Sequence, residues 1–146
     1  MVRGLELFCG IGGFAAAAAA GGVEVVAAID QDAAALDVYR LNFPGHHARQ
    51  ADLEKITPLQ LAFYRAQFWW LSPPCQPYCL RGNRLDLDDP RGASLKRLMG
   101  ALGEMRDGDL PTYIALENVE GFRDSAAREL VLQVLRSRGY HLAELL

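Results

Sequence analysis

The sequence predicts an α/β fold built on a doubly wound, mostly parallel sheet, and three observations lead to this prediction. Short apolar segments alternate with helix-favouring segments along all 146 residues, which is typical of a parallel sheet covered on both faces. Hydrophobic residues make up 51% of the chain, enough for one buried core at this length. Polar and glycine-rich stretches directly follow the apolar segments, where such sheets bind ligands. Since no repeat and no linker divides the chain, we expect a single domain over residues 1–146.

The first half of the chain alternates strands and helices. The apolar segment "GLELF" runs into the glycine-rich "CGIGGF", and the alanine run that follows strongly favours a helix. β-Branched residues then indicate a buried strand, and Pro44 with Gly45 ends a second amphipathic helix. In chain order, the predicted elements are strand 4–8, helix 14–20, strand 23–29, helix 32–42 and a weak strand at 46–50.

The second half repeats this alternation around a long polar loop at 75–91. Pro58 suits the first turn of a helix, and the strand "FWWL" ends at a pair of prolines. Asp124 or Ser125 can cap the last helix, which Gly139 ends. In chain order, the predicted elements are helix 58–66, strand 68–71, helix 94–105, strand 113–117, a helix to about residue 138 and a closing segment at 140–146.

The composition argues against several classes of protein. No basic segment precedes an apolar one in the way that directs secretion, and Gly21, Gly22 and Glu24 interrupt the longest apolar run, which disfavours a membrane span. Since the three cysteines are odd in number, we expect free thiols in a reducing compartment and a cytoplasmic location. The C-x3-C spacing of Cys75 and Cys79 and the scattered histidines match no ligand pattern, so we expect no metal site.

The charge distribution is uneven. The net charge of −3 disfavours a protein that binds nucleic acid through a basic surface as a whole. Arg81, Arg84 and Arg91 nevertheless follow Cys75 closely. On charge alone, a solvated loop is the simpler interpretation of these arginines.

Three chemically distinctive stretches each follow a predicted strand, at 9–13, 72–79 and 117–121. Because the carboxyl ends of parallel strands meet at one edge of the sheet, we expect these stretches to line a common crevice.

The first stretch has the pattern of a nucleotide-binding loop. Gly10, Gly12 and Ala15 fit G-x-G-x-x-A between a strand and a helix, and about twenty residues later Asp30 ends the next strand, where a carboxylate can bind ribose hydroxyls. Asp52 can accept a hydrogen bond from an adenine amino group, although alone it is more simply a helix cap or a surface acid. This pattern favours an adenosine-containing ligand but does not separate NAD from S-adenosylmethionine.

The second stretch suits a reactive thiol. The backbone around Cys75 is restricted by Pro73, Pro74 and Pro77. A cysteine attacks as the thiolate, and we expect positive charge from Arg81 and Arg84 to lower the pKa of Cys75 below the ordinary value of about 8.5. The alternative is a small packed side chain in a proline-rich turn, an alternative that also applies to Cys79.

The third stretch contains Glu117 and Asn118 at the end of a strand. A partly buried carboxyl group there can donate a hydrogen bond or a proton to a ligand. The alternative is a capping asparagine beside a surface glutamate.

Five motifs together resemble the cytosine-C5 methyltransferases in order and spacing: "LELFCGIGGF", "AAIDQDAAALDVYRLNFP", "SPPCQPYCLRGN", "DDPRGASL" and "LENVEGF". The resemblance covers nearly the whole chain, and it is strongest to the branch of the family that methylates tRNA. It implies the Rossmann-like sheet of S-adenosylmethionine-dependent methyltransferases, with nucleic acid, DNA or tRNA, as the substrate.

The resemblance also implies a role for individual residues. Cofactor binding is implied for Phe8, Gly10, Ile11, Gly12, Gly13, Asp30, Gln31, Asp52, Leu53 and Pro74. Catalysis is implied for Cys75, Gln76, Glu117 and Asn118, with Cys75 attacking C6 of cytosine, Glu117 binding the base and Asn118 fixing the loop geometry. Contacts with nucleic acid are expected for Arg81 and Arg84.

The family pattern continues beyond the last motif of this sequence, with a base-contacting segment, a target-recognition region and a returning C-terminal segment. We therefore expect a partial catalytic domain without a target-recognition domain, whose last residues pair differently or form an exposed edge. It is then an incomplete enzyme, one chain of a split enzyme with a second chain as partner, or a non-catalytic adenosine-binding homologue. A nicotinamide-dependent oxidoreductase explains the glycines and Asp30 but leaves "PPCQP" and "ENV" unexplained.

Overall fold

The computed structural model describes residues 1–79 and 85–145. In these residues five parallel strands form one sheet in the order β3-β2-β1-β4-β5. The strands are β1 Val2–Leu7, β2 Val23–Asp30, β3 Ala48–Gln50, β4 Phe68–Leu71 and β5 Tyr113–Leu116. The helices are α1 Gly13–Ala18, α2 Ala33–Asn42, α3 Pro58–Phe63, α4 Ala93–Glu104 and α5 Ala126–Ser137. The predicted α/β fold with a doubly wound parallel sheet is confirmed.

Alternate residues of the central strands face two separate cores. Leu5 and Leu7 of β1 pack with Trp69 and Leu71 of β4 against helices α3, α4 and α5. On the opposite face, α1 and α2 cover a smaller core around Leu36 and Tyr39. The period-two alternation of a strand therefore places helices on both faces of the sheet, as the sequence predicts.

The strand order reverses between β1 and β4, and this position defines the functional edge of the sheet. The backbone N–H of Ser72 donates to the carbonyl of Leu7 at 3.2 Å, and the N–H of Glu117 donates to the carbonyl of Leu71 at 2.9 Å. Neighbouring strands lie about 5 Å apart, so the three predicted stretches leave the sheet side by side. Ligands of doubly wound sheets bind at such a reversal.

Two predicted segments differ from the structure. Helix α3 ends at Phe63 rather than at residue 66, because Arg65 adopts a positive φ of 48° that turns the chain toward β4. Residues 140–145 form no strand in the described chain; the Tyr140 hydroxyl instead donates to the carbonyl of Pro111 at 2.6 Å. Of the two candidate caps for α5, Ser125 is the observed one, accepting the N–H of Arg128 at 3.0 Å.

Among the described residues, none of the helices combines the length and hydrophobicity that crossing a membrane requires.

Candidate active site

The glycine loop after β1 has a strained backbone that is open on one side. Phe8, Gly10 and Gly12 have positive φ values of 58°, 51° and 97°, and this region is uncommon for a bulky residue such as Phe8. A Cβ on Gly12 would overlap the ring of Phe43, whereas a Cβ on Gly10 would meet nothing within 4 Å. The loop is thus packed against α2 at Gly12 and leaves space for a ligand at Gly10.

Asp30 connects the end of β2 with this loop. One carboxylate oxygen accepts the backbone N–H of Gly10 at 2.8 Å, and the other accepts the N–H of Asp32 at 2.9 Å. A carboxylate has about four acceptor positions, so Asp30 can still accept hydrogen bonds from a ligand. The sequence predicts that Asp30 binds the ribose of an adenosine-containing ligand, but it does not predict that Asp30 also fixes the glycine loop.

Glu6 lies beneath the glycine loop, and sequence reasoning missed it. This β1 residue is only 2% exposed, and it accepts the hydroxyl of Tyr39 at 3.2 Å. Burial raises the pKa of Glu6 to about 7, opposed by hydrogen bonds from the Tyr39 hydroxyl and the backbone N–H groups of Ala15 and Phe14. A charged residue at a core-facing position of an apolar strand was the signal that could have found it.

The remaining residues of the predicted cofactor set differ in exposure. Ile11 and Gln31 are exposed, whereas Leu53 is buried in the larger core. Asp52 caps a short 3-10 helix by accepting the N–H of Glu54 at 3.0 Å, and its carboxylate lies 3.0 Å from the Lys55 ammonium. The Lys55 ammonium and the Glu54 N–H hold the pKa of Asp52 below its ordinary value. The helix-cap interpretation of Asp52 therefore describes this structure, and contact with adenine stays a prediction.

The loop after β4 holds Cys75 at the start of a single 3-10 turn, Gln76–Tyr78. The Cys75 carbonyl accepts the N–H of Tyr78 at 3.0 Å. Cys75 and Pro74 are half-buried, whereas Gln76 is exposed. The Asn118 side-chain amide donates to the carbonyl of Pro73 at 3.3 Å, so a residue from the end of β5 holds the backbone just before the thiol.

The electrostatics of Cys75 contradict the predicted lowering of its pKa. Burial raises the pKa of the Cys75 thiol, and the neighbouring Cys79 thiol and Glu117 carboxylate raise it further. The prediction is therefore wrong for the described residues, because burial, the largest influence on this thiol, disfavours the thiolate. Arg81 and Arg84, on which that prediction relied, lie outside the described residues.

Glu117 directly follows β5 and is exposed, so the predicted partial burial is wrong. The reason is its position, because β5 is the outermost strand on this side of the described sheet. The backbone of Glu117 is nevertheless fixed by its hydrogen bond to Leu71, so Glu117 leaves the same edge of the sheet as the Cys75 loop.

Two further positions that sequence reasoning missed support the Cys75 loop. A Cβ on Gly121 would overlap the carbonyl oxygen of Tyr78, and the rings of Tyr78 and Phe122 pack edge to face at 5.1 Å. The Asp86 carboxylate accepts the backbone N–H groups of Ala126 and Ala127 at the start of α5. These contacts join residues about forty positions apart, which local sequence patterns do not reveal.

An aromatic pair connects the helix that follows the glycine loop with the strand that precedes the Cys75 loop. The ring of Phe14 in α1 stacks on Trp70 of β4, with centroids 4.8 Å apart. The Trp70 indole N–H donates to the Ser72 hydroxyl at 2.7 Å. The first turn after the glycine loop therefore contacts the strand that leads into the cysteine loop.

Over residues 1–79 and 85–145, no group of three or more His, Cys, Asp and Glu side chains is arranged to hold a metal ion.

Comparison with known proteins agrees with this geometry. The family described as C-5 cytosine-specific DNA methylase matches residues 2–146. The tRNA (cytosine(38)-C(5))-methyltransferase of Schizosaccharomyces pombe is 37% identical over 145 residues, covering 98% of this chain and 43% of that protein. The DNA (cytosine-5)-methyltransferase of Dictyostelium discoideum is 32% identical, covering 98% and 38%. The chain thus spans less than half the length of these relatives.

A solved structure gives the same result for the fold. The crystal structure of the S. pombe Dnmt2 methyltransferase superposes with a TM-score of 0.82 at 33% identity, covering 96% of this chain and 41% of that one.

Proposed function

Since the chain belongs to the C-5 cytosine-specific DNA methylase family, we propose that it forms the part of an enzyme that holds the methyl donor and the nucleophile for C5 methylation of cytosine in nucleic acid. The observation that carries this proposal is the common edge of the sheet, where the glycine loop, Cys75 and Glu117 leave three neighbouring strands. The reversal of strand order between β1 and β4 supports the proposal that these three segments line one crevice.

Two features support S-adenosyl-L-methionine as the methyl donor. Open space at Gly10 allows a ligand to approach the backbone closely, and Asp30 has acceptor positions left for ribose hydroxyls. When bound, this cofactor supplies a methyl group on a positively charged sulfur. Phe8, half-buried beside the loop, offers a ring face to the adenine, and Asp52 offers its carboxylate to the adenine amino group.

The chemistry assigned to Cys75 is covalent. Its thiolate adds to C6 of cytosine, and the electron pair of the C5–C6 double bond makes C5 nucleophilic enough to take the methyl group. Loss of the C5 proton then expels the Cys75 sulfur and restores the ring. Glu117 binds the Watson–Crick edge of the base and stabilises the charge that arrives in the ring, while Asn118 and the prolines fix the direction of the sulfur. Gln76 follows Cys75 directly and is exposed, so it is accessible to an incoming base.

The raised pKa of Cys75 has a consequence for the reaction. Burial, the Cys79 thiol and the Glu117 carboxylate raise the pKa of Cys75 and so disfavour the thiolate. The reaction therefore needs the thiolate to be stabilised when the nucleic acid binds. We assign part of that role to Arg81 and Arg84, which follow Cys75 in the sequence. The base must leave its stack for the sulfur to reach the ring face.

The preferred substrate is tRNA, because the S. pombe relative that matches at 37% identity is a tRNA methyltransferase. DNA is the second candidate, favoured by the Dictyostelium relative at 32%. A second chain that completes the enzyme is also a proposal, and co-purification from the source cells tests it.

Calorimetry tests the cofactor assignment. We expect S-adenosylhomocysteine to bind, NADH not to bind, and Asp30→Ala to weaken the first interaction, with the exposed Asp37→Ala as matched control. Tight binding of NADH without a response to S-adenosylhomocysteine would contradict the proposal. Methyl transfer to a tRNA transcript and to a DNA duplex, measured side by side with tritiated cofactor, then separates the two substrates.

A further inference from the structure

Cys79 has no role in the proposed mechanism, although it lies beside the nucleophile. Cys75 and Cys79 flank the single 3-10 turn Gln76–Tyr78, Cys75 as its first capping residue and Cys79 as its last. Both cysteines are half-buried, so small solutes can reach them, whereas Cys9 is buried and 5% exposed. The three free thiols therefore form one accessible pair and one inaccessible single residue.

The turn that separates the pair is held from several sides. Its hydrogen bond joins the Cys75 carbonyl to the Tyr78 N–H at 3.0 Å, and Pro77 is buried within it. Gly121 packs directly against the Tyr78 carbonyl. A disulfide requires the two sulfurs to approach closely before the bond forms. Only one turn separates the two cysteines, and it lies outside the sheet, so the approach needs no rearrangement of the sheet.

We propose that Cys75 and Cys79 form an oxidation site, in which hydrogen peroxide converts the pair to an intramolecular disulfide. One thiolate attacks a peroxide oxygen, the O–O bond breaks, and a sulfenic acid and hydroxide form. The other thiolate attacks the sulfenic sulfur, the S–S bond forms, and hydroxide leaves. With the two thiol protons counted, two thiols and one peroxide give one disulfide and two waters, so that two electrons pass from sulfur to oxygen.

The disulfide has two consequences. It protects both sulfurs from further, irreversible oxidation to sulfinic acid, which a lone reactive cysteine undergoes. It also removes the Cys75 nucleophile until a reductant restores it; this second consequence rests on the proposed function, whereas the disulfide itself does not.

Mass spectrometry of the peroxide-treated protein tests the proposal. In the wild type we expect the loss of two hydrogen atoms, a peptide link between Cys75 and Cys79, and complete recovery of both thiols with dithiothreitol. Cys9→Ser should behave identically, because Cys9 is buried and outside the pair. Cys79→Ser should give no intramolecular disulfide, and should instead accumulate sulfenic acid, detected with dimedone, followed by sulfinic acid at Cys75 that dithiothreitol does not reverse.

The wild-type measurement tests the proposal by itself, because it does not require any variant to fold. Sulfinic acid at Cys75 with Cys79 still reduced, a disulfide that includes Cys9, or only intermolecular links would each overturn the proposal. Covalent capture of 5-fluorocytosine nucleic acid, measured before oxidation, after oxidation and after reduction, separates the two claims. A disulfide without any capture by reduced protein contradicts the proposed function alone, while capture that peroxide leaves unchanged contradicts the oxidation site alone.

Discussion

The two loops of the proposed crevice, the glycine loop on its proposed cofactor side and the Cys75 loop on its proposed nucleophile side, are held in different ways. The glycine loop is fixed within the β1–α2 unit, through Asp30 on β2, Glu6 beneath α1, and Gly12 against α2. The Cys75 loop is fixed by prolines and by groups far along the chain, namely Asn118 and Gly121. The cofactor side of the crevice is therefore a local structure, whereas the nucleophile side depends on the packing of the segment after β5. Changes on one side should disturb that side first.

The largest effect is expected on the cofactor side, from Gly12→Ala. A positive φ costs an alanine about 1–2 kcal/mol, and overlap with Phe43 adds about 1–3 kcal/mol. Gly10→Ala is the matched variant, because its Cβ would point into open space. Urea unfolding should show the larger loss for Gly12→Ala, while calorimetry should show that Gly10→Ala loses S-adenosylhomocysteine binding despite its smaller cost in stability. Unchanged affinity in Gly10→Ala would remove the glycine loop from the ligand site.

The second effect concerns the buried carboxyl group beneath the same loop. The pKa of Glu6 is raised from 4.5 to about 7, so the folded state keeps a proton that the unfolded state releases. Its contribution to stability is complete below about pH 4.5 and declines as the pH rises to about 7, by about 3 kcal/mol.

Glu6→Gln does not titrate, so it tests this contribution directly. The difference in unfolding free energy between Glu6→Gln and the wild type should shift in favour of the variant by about 3 kcal/mol across that window. Denaturant unfolding at several pH values measures this difference. A constant difference from acid to neutral pH would show that folding does not raise the pKa of Glu6.

A smaller effect is expected on the nucleophile side, from Gly121→Ala. The new Cβ would overlap the Tyr78 carbonyl, and such overpacking costs about 1–3 kcal/mol. Gly103→Ala is the control, since this helical glycine has no neighbouring atoms within 4 Å of an added Cβ, and alanine there should stabilise α4 by up to about 1 kcal/mol. Cys75 alkylation should change in Gly121→Ala while S-adenosylhomocysteine affinity stays near wild type. Equal losses of both would contradict the separation of the two sides.

The smallest effect is expected for Asn118→Ala, which removes the hydrogen bond to the Pro73 carbonyl and the bond accepted from the exposed Val119 N–H. The cost in stability should be about 1 kcal/mol. If Asn118 positions the nucleophile, kcat for methyl transfer should fall by more than this cost explains, with KM for the cofactor unchanged. If kcat and the KM for the cofactor changed in proportion, Asn118 would contribute only to general stability.

The sequence allowed accurate prediction wherever short-range patterns determine the structure. Alternating apolar segments predict the parallel sheet, and the spacing from Gly10 to Asp30 correctly places Asp30 at the end of β2, although its 2.8 Å hydrogen bond to Gly10 was not predicted. The ends of elements were less predictable, because Arg65 stops α3 through a backbone angle that no local motif signals.

The nucleophile side was only partly predictable, because its geometry depends on tertiary contacts. Proline spacing around Cys75 indicated a restricted loop, but the pKa of the thiol depends on burial and on Cys79 and Glu117, which lie close only in the folded chain. Glu117 is exposed because β5 lies at the edge of the described sheet. The order of the strands determines this position, and no local sequence pattern reveals it.

The central claim is that Cys75 and a methyl donor in the glycine loop act on the same cytosine. The most direct measurement is peptide mapping of the protein after incubation with 5-fluorocytosine nucleic acid and S-adenosyl-L-methionine. The account predicts one stable adduct, carried by the peptide that contains Cys75, bearing the transferred methyl group and absent from Cys75→Ser. A methylated adduct on Cys9 or Cys79, or one that persists in Cys75→Ser, would contradict it.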